Sequence, residues 1–216
     1  MSARELILDR IRRANGAAPG REAATAAWMR GESGAAPRPA QGASQGAARL
    51  DQFEAKVIAA SATLSRVSDA AALPAALADQ LRARNLPAAI RTGSDPLFRG
   101  LDWGGIERSE GPGRIEEPVT VSRAEFAMAE TGTLVLASGP DNPVTLTFLG
   151  ETHFIAVRAE DVMGGFDDLW PAWRARGLNP RTINMVTGPS RSADIGQTLQ
   201  LGAHGPVAVH VFLIGG

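Results

Sequence analysis

"TINMVTGPSRSADIGQTLQLGAHGPVAVHVFLIG", residues 182–215, is the stretch on which the fold reading turns. It opens with a short apolar run over 182–186, breaks at Gly188-Pro189, and continues with Ile195 and Leu199 one helical turn apart. It breaks again at Gly202 and at Gly205-Pro206, then closes in an apolar run over 207–214. Strand, turn, helix, turn, strand is the repeating unit of a parallel sheet covered by helices. On this reading residues 187–191 form a loop at the C-terminal end of a strand, where doubly wound proteins place their ligands.

The same alternation extends upstream. "LDQFEAKVIAASA" from Leu50 has Phe53, Val57 and Ile58 at helical spacing, and "TLSRV" follows as a strand. Ser68 is an expected N-cap for the next helix, whose Leu73, Leu77 and Leu81 define a single apolar stripe. "LPAAIRTG", "GTLVLAS", "HFIAVR" and "PVAVHVFLIG" read as strands, while "SRAEFAMAET" and "AEDVMGGFDDLWPAWRARG" read as helical. In "GTLVLAS", Leu134 and Leu136 fall on one face and Val135 on the other. The strands carry apolar residues on both faces, as strands covered by helices do. Residues 1–49 read as a helical and flexible N-terminal arm, because 17–48 are mostly Ala, Gly, Pro, Ser and Gln. Residues 50–216 then form the α/β domain.

Composition narrows the function. A net charge of −1 gives no basic field, so nucleic acid is not an expected partner. The 216 residues contain no cysteine, which removes disulfides, a thiol nucleophile and thiolate-held iron-sulfur clusters from this chain. The first residues carry Glu5 and Asp9 within their only apolar stretch, and no apolar run is long enough to span a bilayer. A soluble, cytoplasmic protein is expected. Three histidines without a common ligand spacing give no protein-built metal site.

Two clusters bear candidate chemistry. In the first, Glu130, Thr131 and Thr133 surround Gly132 ahead of a strand: the glutamate is a candidate base or nucleophile, and the threonines are candidate donors or simple caps. In the second, Gly188 and Pro189 shape a turn, and Ser190 either caps the following helix or, with its first amides, holds an anion. Asp194 falls in the first turn of that expected helix and would oppose an anion. His204 lies in a turn set by Gly205 and Pro206, and is a candidate proton-transfer group. His153 begins a strand and is a further ligand candidate, whereas His210, inside the last strand, reads as structural. The reading sets Gly132, Gly188 and Gly205 along one rim.

Taken together, "AETGTLVLASGPDNPVTLTFLGETHFIAV" and "TGPSRSADIGQTLQLGAHGPVAVHVFLI" resemble the LUD domain of the lactate-utilization C protein family. That family shows Asn-Phe-Leu-Pro before the strand histidine, where this chain has Thr147, Phe148, Leu149 and Gly150. The resemblance implies a three-layer α/β/α sandwich with a mostly parallel sheet, similar to the NagB/RpiA/CoA-transferase-like superfamily. It also implies an accessory or small-acid-binding role in oxidation of L-lactate to pyruvate, beside partner proteins that carry iron-sulfur clusters. This chain would itself hold no cofactor. The motif positions it carries over are Glu130, Thr131, Gly132, Thr133, Gly188, Ser190, Asp194, His204 and Gly205. The alternative is an independent enzyme of the wider superfamily that uses Glu130.

Overall fold

The computed structural model describes residues 2–15, 20–30, 39–115, 117–193, 199–201 and 204–216. They fall into two compact units, Met1–Pro37 and Arg38–Gly216.

The first unit holds α1 (Ala3–Asn15) and α2 (Arg21–Met29). Ser2 and Glu5 close the start of α1 reciprocally: the Ser2 amide donates to Glu5 Oε2 at 2.6 Å, and the Glu5 amide donates to Ser2 Oγ at 3.3 Å. α2 buries none of its residues, and Trp28 is exposed.

The second unit is built on a six-stranded, wholly parallel sheet of β1 (Thr63–Val67), β2 (Ala89–Thr92), β3 (Glu107–Glu110), β4 (Val119–Arg123), β7 (Thr152–Arg158) and β12 (Ala208–Ile214). Their order is β1-β12-β7-β4-β2-β3. The chain's last strand therefore lies inside the sheet, where both faces must be apolar. On one face Val209, Val211 and Leu213 join Ile155 and Val157 under Phe53 and Val57 of α3 (Gly46–Ala59). On the other, Phe212 and Ile214 join Phe154 under Leu73, Leu77 and Leu81 of α4 (Leu73–Ala83). The leucine stripe is fully internal, at 0%, 0% and 2% exposure, so helical spacing located this helix correctly. Ile58 instead faces solvent, and the turn before α4 is capped by Asp69, whose Oδ1 accepts from the Ala72 amide at 3.0 Å, in place of the expected Ser68.

A second sheet, ordered β8-β5-β6-β9, comprises β5 (Phe126–Met128), β6 (Thr133–Ala137), β8 (Val162–Met163) and β9 (Ile183–Val186). Leu134 and Leu136 face the α3 side, while Val135 packs with Phe126, Leu169 and Trp173 against α6 (Phe166–Ala175). The alternation read in "GTLVLAS" is thus real. The helix expected over 122–131 is not formed: Phe126 and Met128 point to α6 and Ala127 to the other core, a period of two that pairing with β6 and β8 enforces over local helix propensity.

The deciding stretch also differs from expectation. β9 pairs antiparallel with β6 and not with the large sheet. The helix expected over 192–202 is not formed at its described residues: β10 (Arg191–Ala193) pairs antiparallel with β11 (Leu199–Leu201). Leu199, one of the expected helical pair, begins β11, and Ile195 lies outside the described residues. The helix dipole proposed for anion binding is therefore absent at Ser190.

Candidate functional site

The hydroxyls of the first cluster are linked to the second. Thr133 Oγ1 lies 2.7 Å from Thr131 Oγ1 and 2.7 Å from Thr187 Oγ1, which joins the turn before β6 to the turn after β9. Both turns close on the end of α3. Gly132 has φ 72°, and a Cβ there would lie 2.7 Å from the Lys56 carbonyl carbon; Gly188 has φ 75°, and a Cβ there would come within 2.0 Å of the Ala60 carbonyl oxygen. Only glycine meets both demands.

Beyond Gly188 the chain enters a hollow of about 200 Å³, with Thr187, Gly188, Ser190, His204, Gly205 and Thr147 on its walls. The Ser190 amide donates to the Pro206 carbonyl at 3.0 Å, and the Val207 amide donates to the Glu151 carbonyl at 2.8 Å. These bonds tie the loop after β9 to the turn before β12 and to the start of β7. The hollow therefore sits where β7 and β12 begin, at the N-terminal edge of the large sheet. Doubly wound sheets more often bind at the opposite edge. At the end of β4 that edge carries ion pairs: Arg123 Nε meets Asp95 Oδ2 at 2.9 Å, Arg123 also pairs with Glu125, and Arg176 pairs with Asp161.

A wider hollow of about 500 Å³ adjoins the first, sharing Phe148, His204 and Gly205 and adding Ile115, Leu149 and Val207. Exposed Phe148, Leu149, Ile115, Met185 and Val207 give the pair an apolar rim. A separate groove of about 440 Å³ beside α4 and Trp103 holds none of the sequence-derived candidates.

Of those candidates, Gly188, Ser190, His204 and Gly205 meet in one hollow, and Pro189 is buried beside it. Gly205 is tightly placed, since a Cβ there would lie 3.2 Å from Ser190 Cβ. Thr131 and Thr133 reach the site only through Thr187, and Gly132 packs against α3 and does not line the hollow. The expected three-glycine rim thus holds for Gly188 and Gly205. Glu130 is elsewhere: its Oε1 accepts from the Phe166 amide at 3.4 Å at the start of α6, and it does not line the hollow. Asp194 lies outside the described residues.

His153 is fully buried in β7, with Nε2 3.0 Å from Ser122 Oγ, and burial pushes its pKa down to about 3. His210, read as structural, has Nδ1 2.7 Å from Thr63 Oγ1. Burial first, and then the charge of Arg84, lower its pKa to about 4. Sequence reading missed Thr187 as a site residue, though its place directly before Gly188 was a signal.

Among the described residues no group of three His, Asp or Glu side chains is arranged to hold a metal ion, and no helix is long and apolar enough to cross a membrane.

Residues 118–214 match the family model of the LUD domain. Lactate utilization protein C of Bacillus subtilis is 32% identical over 118 residues, 52% of this chain and 49% of that protein. The protein of the same name from Anoxybacillus flavithermus is 33% identical over 91 residues, 42% of this chain and 41% of that one. An uncharacterized protein of Neisseria meningitidis is 36% identical over 87 residues, 39% of this chain and 37% of that one. The matched segments span less than half the length of these relatives. The crystal structure of a DUF162 family protein from Deinococcus radiodurans superposes with a TM-score of 0.57 at 23% identity, covering 77% of this chain and 96% of that one, and so shares the fold.

Proposed function

We propose, from the match of residues 118–214 to the LUD domain, that this chain acts in lactate utilization as a subunit that binds a small carboxylic acid, beside partner proteins that carry iron-sulfur clusters. The names of the relatives in Bacillus subtilis and Anoxybacillus flavithermus support the process. The observation that carries the binding role is the convergence of Ser190, Thr187 and His204 on one hollow of about 200 Å³. That volume is below the range of drug-sized sites and suits a ligand of a few heavy atoms.

The donors there are side chains. In this reading Ser190 Oγ and the His204 ring, both on the hollow's walls, donate to carboxylate oxygens, and Thr187 Oγ1 adds a third donor whenever Thr133 supplies the proton of their shared bond. The Ser190 amide is already committed to Pro206. In this reading thiolate-held clusters belong to the partners, an assignment that the absence of cysteine from the 216 residues supports. Exposed Phe148 and Met185 give the mouth of the hollow an apolar edge.

Titration calorimetry of the chain with L-lactate, pyruvate and acetate tests the reading. Saturable heat that is lost in Ser190→Ala and His204→Ala is the expected result. Absence of heat from the folded chain, with partners present or absent, overturns it.

A further inference from the structure

The two helices of the first compact unit keep their large apolar side chains at the surface. In α1 Leu6, Ile7, Leu8 and Ile11 are 54%, 60%, 39% and 50% exposed, and in α2 Trp28 and Met29 are exposed as well. α1 has 13 residues, a length at which an isolated helix is marginal in water, and an amphipathic helix draws most of its stability from whatever its apolar face meets. The unit lies outside residues 118–214, so the family match does not account for it.

Helical geometry sorts these residues by side. At 3.6 residues per turn Ala3, Ile7, Leu8, Ile11 and Ala14 share an arc of about 140°. Arg10 borders that arc on one side and Arg12 on the other. Arg4 falls within it, in the first turn, and a side chain of that length carries its charge out of an apolar layer. Both acidic residues of α1 are engaged inside the helix: Asp9 pairs with Arg13 at 2.5 Å, and Glu5 accepts from the Ser2 amide. Arg4, Arg10 and Arg12 have no ion pair among the described residues. Charge is also divided unevenly along the chain. Residues 1–37 hold six arginines and four acidic residues, whereas the rest has an excess of three acidic side chains.

We propose that α1 binds the surface of an anionic lipid bilayer, lying in the plane of the interface with Ile7, Leu8 and Ile11 among the acyl chains and Arg4, Arg10 and Arg12 at the headgroup phosphates. Two features favour a lipid surface over a protein groove. Basic side chains flank the apolar arc on both sides, which is where headgroups meet a helix half-sunk in a bilayer. A groove instead takes large anchors at i, i+3 or i+4 and i+7, and counted from Ile7 or Leu8 the i+7 positions are Ala14 and Asn15, so the seam of large side chains is a single turn long. Exposed Trp28, in the same unit, is of the residue type that settles at such an interface. The attachment is peripheral, since 13 residues of helix reach about 20 Å and a bilayer core is about 30 Å thick. The proposal is independent of what the Ser190–His204 hollow binds.

Sedimentation of the full chain with lipid vesicles tests this, using phosphatidylcholine alone and phosphatidylcholine with about 30 mol% phosphatidylglycerol. At low salt the anionic vesicles are expected to bind at least about tenfold tighter, since each basic residue near such a surface is worth about fivefold. That advantage is expected to shrink at about 0.5 M NaCl, where the charges are screened. Arg10→Gln combined with Arg12→Gln is expected to weaken binding to the anionic vesicles at least about tenfold. Ile7→Asp combined with Ile11→Asp is expected to abolish binding to both kinds while leaving the urea midpoint unchanged, because both side chains are already exposed in the folded chain. Equal binding to the two kinds of vesicle, or binding that survives the two aspartates, overturns the proposal. A wild-type chain that stays in solution with both also overturns it, and self-association lost in the aspartate variant would then assign the face to a second copy.

Discussion

Lowering the pH from 7 to 5 will destabilise this protein through its buried histidines, and His153 carries the calculable share. Its ring is fully buried, and its pKa in the folded chain is lowered to about 3 from an ordinary value of 6.5. Above pH 6.5 both folded and unfolded chains hold the ring neutral, and the buried site costs nothing in protonation. As pH falls below 6.5 the unfolded chain binds a proton that the folded chain refuses, so stability is lost progressively until about pH 3. Between pH 7 and 5 the difference amounts to about 1.4 pH units of uncompensated uptake, or roughly 2 kcal/mol at 1.36 kcal/mol per unit. His210, lowered to about 4 by burial and then by Arg84, acts in the same direction. Urea unfolding of wild type and His153→Gln at both pH values isolates the term: the glutamine keeps a partner for Ser122 and cannot titrate. Wild type is expected to lose roughly 2 kcal/mol more than the variant over this interval. Equal losses refute the claim that His153 is held neutral by burial.

Two further outcomes follow from the site's construction. Gly188→Ala places a Cβ 2.0 Å from the Ala60 carbonyl oxygen at a φ of 75°, so thermal unfolding is expected to show a loss of at least about 2 kcal/mol; a loss below 0.5 kcal/mol would show that the turn does not close on α3. Thr147→Val removes a buried hydroxyl without a partner, and without ligand its unfolding midpoint is expected to equal or exceed that of wild type; a clear drop would mean that the hydroxyl has a structural partner.

Much of the architecture was legible because burial imposes period. Leu73, Leu77 and Leu81 repeat at helical spacing and form one wall of the core, and the alternation of Leu134, Val135 and Leu136 assigns two opposite faces correctly. What was not legible is pairing. Nothing local distinguishes β9 from a strand of the large sheet, and its antiparallel union with β6 is decided by residues some fifty positions upstream. Leu199, read with Ile195 as part of a helical stripe, is the first residue of β11, which pairs with β10; Ile195 lies outside the described residues. The glycine-proline turns do bring Gly188, Ser190, His204 and Gly205 to one hollow. Glu130 was singled out by its chemistry, and no sequence signal shows that its carboxylate would turn to the first amides of α6. Thr147 was passed over because a threonine in a five-residue helix, α5 (Val144–Phe148), carries no pattern; only its burial without a partner singles it out.

The chain has three histidines, which makes ring NMR a sparse and decisive probe of whether an acid binds at the turn before β12. During titration with L-lactate the His204 ring signals are expected to move saturably, while those of His210, enclosed on the other face beside Phe154 and Phe212, stay in place. A His204 that does not respond at lactate concentrations in the tens of millimolar contradicts the account.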